Sequence, residues 1–142
     1  MHLKKLFLIV FFHANFSMIN AQTSTTEKII SFYGVEWYEQ EFIQNKQLID
    51  LLKAYIERGF KIENVSPGKY NELIPLTSIN LSAKSGGTIS IQQFIEEYEN
   101  MNFNPLLYQF FPSKDIQVFK LNGIDKIIYI ESLSYLMNLN DE

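Results

Sequence analysis

Histidine occurs only at His2 and His13, and cysteine nowhere, in the 142 residues. Chemistry beyond residue 13 therefore falls to hydroxyls, amines and carboxylates. Ser66-x-x-Lys69, Ser78-x-Asn80 and Lys84-Ser85-Gly86 follow the order of the pieces used in serine–lysine acyl transfer. That chemistry needs the serine and lysine on one face of a helix start, whereas Pro67-Gly68 between them favours a turn. Glu36, Glu39, Glu41, Glu96, Glu97 and Glu99 supply carboxylate pairs. A glycosidase-type hydrolase would need two acids flanking a cleft at about 5 to 9.5 Å, and these six fall on helix faces expected to point at solvent. No His or Cys set offers a zinc site or a nucleophile–histidine pair once the first residues are removed. There is no calcium loop of the D-x-D-x-D-G kind, Asn138, Asn140, Asp141 and Glu142 forming only an acidic tail, and no glycine-rich phosphate loop. The expectation is no catalytic residue, no cofactor and no metal.

The first residues have the charge order of an export signal. Lys4-Lys5 precede the apolar run LFLIVFF (Leu6 to Phe12), and a more polar stretch ends at Ala21. The expected organisation is a signal peptide over 1–21, a flexible lead-in over 22–27 and one domain over 28–142. The run is too short and too interrupted for a membrane span, so the chain is not expected to be membrane-embedded after cleavage. No cysteine lies near the cut to carry a lipid. Loss of Lys4 and Lys5 leaves ten basic and sixteen acidic residues, a formal charge of −6. Such a surface disfavours nucleic acid and anionic headgroups. Arg58 is the only arginine, so clustered guanidinium recognition of phosphate is excluded. Without disulfides the fold must stand on its apolar core, for which eight Phe, eight Tyr and Trp37 remain beyond residue 21. The Lys, Ile and Asn bias suits a bacterial envelope protein, periplasmic or secreted.

Three function classes follow. The leading one is a non-catalytic exported domain that binds a protein or envelope component. Its surface is expected at the Pro75 edge and the Ser82–Thr88 loop, with Lys84, Gly86 and Gly87. The first alternative is a small-ligand or glycan binder using Tyr33, Trp37 and Tyr70 around a concave face. The second is a carboxylate hydrolase.

The elements that would position these residues are legible by period. Ile29 to Val35 reads as a strand from its β-branched and aromatic content. Tyr38, Phe42, Ile49, Leu52 and Ile56 predict one long helix over 36–58, with Gly59 as its left-handed cap. A strand is expected over 60–65, a turn at Ser66–Lys69, and an edge strand or irregular connection over 70–81, because Pro75 forbids a central position. Ser90-x-x-Gln93 opens a second helix, LLYQFF (106–111) reads as a buried strand, and Asn122-Gly123 as a two-residue type I′ turn. In that register Lys120 faces Asp125 and Val118 faces Ile127. A last helix is expected through Leu133, Leu136 and Met137. The fold class is α+β: a small antiparallel or mixed sheet with two to three helices mainly on one face.

Overall fold

A computed structural model describes residues 23–66, 68–70 and 72–139. The expected signal peptide lies outside them. Among the described residues the class is α+β, built from five α-helices, a four-stranded mixed sheet and a two-stranded hairpin.

The chain opens on α1 (Thr25–Tyr33), where a strand and a flexible lead-in were expected. Ser24 accepts from the Glu27 N–H while Glu27 accepts from the Ser24 N–H, a complete capping box. The buried side chains are Ile29 and Phe32, three apart on one helical face. Tertiary burial at helical spacing thus overrides the strand propensity of Ile29, Ile30, Phe32 and Tyr33. Gly34, at φ 98°, then turns the chain into α2 (Val35–Gln44). A side chain there would be strained, which is why glycine occupies the corner.

The single long helix expected over 36–58 is broken. α2 ends at Asn45 (φ −144°, ψ 60°), and α3 (Lys46–Ala54) starts there because the Asn45 side chain accepts from the Leu48 N–H at 3.4 Å. A short amide side chain competes with the helical ladder in this way. One π-helical turn, Tyr55–Gly59, follows. Gly59 is not a left-handed cap. A Cβ there would come within 2.9 Å of Tyr55 Cδ2 and 3.1 Å of both Leu136 methyls, so glycine is required by close packing. Tyr55 cannot retreat, being buried with its hydroxyl donating to the Phe110 carbonyl. Gly59→Ala is therefore expected to cost about 1–3 kcal/mol through overpacking, read as a lowered urea midpoint with unchanged slope.

The sheet has the order β1–β6–β5–β2. Its strands are β1 (Phe60–Asn64), β2 (Ile74–Leu76), β5 (Gln117–Leu121) and β6 (Lys126–Ile130). β2 runs parallel to β5 and the other pairs are antiparallel. Pro75 sits on an edge strand, as its missing N–H requires. The expected hairpin forms, but Lys120 faces Ile127 and Val118 faces Tyr129, two residues away from the two-residue-turn register. The Asn122 N–H is committed to the Leu76 carbonyl at 2.8 Å, and Gly123 takes φ 87° inside a longer loop over 122–125. A shift of two preserves which face each side chain occupies.

β3 (Ser78–Asn80) and β4 (Thr88–Ser90) form the second sheet. α4 (Ile91–Tyr98) follows, with the Ser90–Gln93 capping box as expected. Residues 106–111 are not a strand. A 3₁₀ turn, Pro105–Leu107, leads to a single bridge between Tyr108 and Leu81, so burial of Leu106, Tyr108 and Phe110 is achieved without a ladder. α5 (Leu133–Asn138) closes the described chain. Phe60, Leu121, Ile128 and Ile130 from one sheet face meet Ile29, Phe32, Leu52, Phe94 and Leu136 from the helices in one core cluster.

Candidate functional site

Three of the sequence-derived site residues are brought together by α1, α2 and the hairpin loop. Tyr33 and Trp37, four apart across the Gly34 corner, stack with ring centroids 4.0 Å apart and planes 20° apart. Phe32 meets the Tyr33 ring edge-on at 4.8 Å. Lys84, reaching from the β3–β4 loop, donates to the Phe32 carbonyl and lies 5.4 Å from the Phe32 ring centroid. It thereby satisfies a carbonyl at the negative end of α1. The loop is tied by Gly86 N–H to Ser82 O at 2.8 Å and Ser85 N–H to Ser82 O at 3.1 Å. Gly86 and Gly87, at φ 66° and 82°, form the exposed corner of that loop.

Pro75 and Tyr70 lie elsewhere. In the β2 ladder Asn122 N–H bonds to Leu76 O, so Ile74 and Leu76 turn their peptide groups toward β5 and Pro75 turns outward. The outward position at mid-strand therefore presents a carbonyl and no donor. At the opposite edge, Glu131 N–H to Gly59 O and Val65 N–H to Asp125 O place odd-numbered residues of β1 toward β6. The outward N–H of Ile62 is met by the Tyr98 hydroxyl at 3.2 Å. Both sheet edges are thus blunted against strand addition.

Tyr70 belongs to a polar network on the sheet face away from the core. Its hydroxyl donates to Glu63 at 3.2 Å, Lys69 pairs with the same carboxylate at 2.9 Å, and its ring lies 6.1 Å from that of Tyr129. Lys61 sits 5.4 Å from the Tyr129 ring centroid. Lys69 holds the Glu63 carboxyl below its usual range, with Tyr70 and Lys61 adding to the effect against partial burial. Glu27 is lowered by its cap bond to the Ser24 backbone. A general acid needs the opposite direction. Glu63 and Glu27 are therefore poorly suited to that role.

Burial raises the phenols of Tyr55, Tyr108 and Tyr129, the last to about 12, with Glu131 and Glu97 adding to the effect at Tyr129 and Tyr108 respectively. A phenol raised in the folded state contributes stability that is full below its unfolded pKa of about 10. That contribution is lost as pH rises through the folded value. Stability is therefore expected to fall from about pH 10 to 12, with these tyrosines ionising together with unfolding. Tyrosinate absorbance and far-UV dichroism recorded on one alkaline titration check this. Tyr129→Phe should move the onset upward.

The residues missed by sequence reasoning lie on α2. Not one of its ten residues is buried, and Val35, Phe42 and Ile43 are 52%, 46% and 82% exposed. Phe42 stacks on Tyr38 at 5.9 Å. Their spacing was visible, but periodicity identifies a stripe without saying what covers it. Two open grooves, about 440 and 400 Å³, lie beside Leu48, Leu51 and Met137 and beside Thr23, Lys28 and Ile56. Neither includes an expected site residue. Among the described residues no group of three or more His, Cys, Asp and Glu could hold a metal ion, and no helix is long and apolar enough to cross a membrane. The geometry therefore describes an α+β domain with one acidic, aromatic helix held at its surface. Comparison of the chain with protein-family models, curated proteins and solved structures gives no match.

Proposed function

We propose that this chain is an exported, non-catalytic domain that binds a protein partner through α2 and the adjoining Lys84 loop. The observation that carries the reading is the exposure of Val35, Phe42 and Ile43 on a helix with no fully buried residue. With Tyr38, itself half-buried against the core, they fall at i, i+3, i+7 and i+8, the anchor spacing of a helix laid into an apolar groove. Glu36, Glu39 and Glu41 surround them with no cation within α2. The complementary partner surface is accordingly an apolar groove rimmed by Lys or Arg. Strand addition is the poorer mode, because Pro75 offers no donor at the β2 edge and Tyr98 occupies the β1 edge. Tyr33 and Trp37 cover one face of each other, which leaves less ring surface for a stacked sugar. Export rests on Lys4-Lys5 and the apolar run that follows.

A photoreactive amino acid placed at Ile43, with one at exposed Gln92 of α4 as comparison, tests the reading in the cells that make the chain. The expected result is one protein adduct from position 43 and none from position 92, on a chain whose N-terminus lies near Gln22. Equal adducts from both positions, or none from 43, would overturn the docking role. An intact Met1 would remove export alone.

A further inference from the structure

The apolar stripe of α2 continues through the break into α3. Val35, Tyr38, Phe42, Asn45, Ile49, Leu52 and Ile56 follow one another in alternating steps of three and four, and Asn45 is the only residue among them that is neither apolar nor aromatic. Such a series belongs to one uninterrupted helix. Neither Gly nor Pro occurs between Val35 and Ile56 to account for the break. The Asn45 side chain does account for it, through its bond to the Leu48 N–H. The Asn45 carbonyl also takes that N–H, at 3.0 Å, in place of the Gln44 carbonyl an α-helix would use.

Helix α1 is held by contacts that do not depend on which chain supplies it. Ile29 and Phe32 fill the core. Asn104 Nδ2 donates to the Lys28 carbonyl at 2.9 Å, Lys84 to the Phe32 carbonyl, Thr23 Oγ1 to Asn102 at 2.8 Å and Thr25 Oγ1 to Glu57 at 2.9 Å. The connector, α2, has no fully buried residue, and only half-buried Trp37 and Tyr38 pack against the core, so what straightening gives up there is confined to those two side chains. We infer that Asn45 is a hinge, and that two copies of the chain exchange α1 when α2 and α3 straighten into one helix. Ten residues of straight helix reach about 15 Å, which carries α1 beyond its own core. A second copy then supplies the matching vacancy, and each of these α1 contacts is remade between chains.

Purified chain suffices for the test, independently of any foreign partner. Asn45→Leu removes the capping acceptor and completes the stripe. It should raise the dimerisation constant by on the order of tenfold in light scattering, while Asn45→Asp, which keeps the acceptor, should match the parent. Exchange itself is read with Thr23→Cys plus Asn102→Cys, a touching pair in a chain with no other cysteine. Oxidation of the dimer fraction should give covalently linked dimers on a non-reducing gel. Disulfides confined to single chains within that fraction would overturn the exchange. So would the absence of dimer in both the parent and Asn45→Leu; should the latter not fold, Asn45→Ala serves in its place. None of these results alters the reading of α2 as a docking face, which the adduct from position 43 decides separately.

Discussion

Phe94→Ala is expected to remove about 4 kcal/mol of folding stability. Phe94 is fully buried on α4, and its ring meets those of Tyr108 at 5.0 Å, Phe103 at 6.0 Å and Phe60 at 6.4 Å, each edge-on at 78° to 84°. Phe110 adds a tilted contact at 6.4 Å. These partners come from α4's C-terminal loop, the bridge segment and β1, so the ring joins the helical layer to the sheet. They are themselves interlocked, Phe103 stacking on Tyr108 at 5.2 Å, and cannot close over the vacancy. A cavity term therefore adds to the lost transfer energy. For a domain whose total stability is of order 5–15 kcal/mol, the variant stands near the edge of folding. Urea unfolding followed by far-UV dichroism measures the difference. Phe94→Leu should lose less than half as much, and a loss below about 1 kcal/mol for alanine would show that the cluster collapses inward.

Phe42→Glu combined with Ile43→Glu is expected to weaken partner binding by at least about thirtyfold, the scale of losing one central hot spot. Both side chains stand in solvent in the free domain, so the change places no charge in the core. It puts two carboxylates where an apolar groove must close, beside three already on the helix. The yield of the partner adduct from a photoreactive group at Val35 reports the loss. Phe42→Leu with Ile43→Leu should retain most of the yield, because area and polarity are kept.

How much was legible in the sequence depended on whether a signal was local. Ser90 with Gln93 announced α4 correctly. Ser24 with Glu27 marks the start of α1 in the same manner, but the β-branched and aromatic residues after it favour a strand on local propensity. Pro75 placed β2 on an edge because a missing N–H is a property of the residue itself. The hairpin was legible, but its register was not. The Asn122 N–H serves the neighbouring strand β2, which no local pattern shows. Asn45 had only a modest propensity against helix, and its effect came from one side-chain bond. At the site, Tyr33 and Trp37 were identifiable as residues but not as a stacked pair turned by Gly34. The Lys84 bond to a carbonyl 52 positions away in sequence could not be read at all. Most importantly, the stripe of α2 had the same period as the buried stripe of α3. Amphipathicity says that a face wants cover, and only the tertiary structure shows that Ile49 has it and Ile43 lacks it.

Whether the Phe42–Ile43 face of α2 is held at the surface for a partner without supporting the fold is decided by the urea unfolding free energy of Phe42→Ser with Ile43→Ser in the isolated protein. A change within about 0.5 kcal/mol of the parent is expected, as for surface positions free of core contacts. A loss of about 2 kcal/mol or more would contradict it, since the two side chains would then be structural and α2 would have no face to offer.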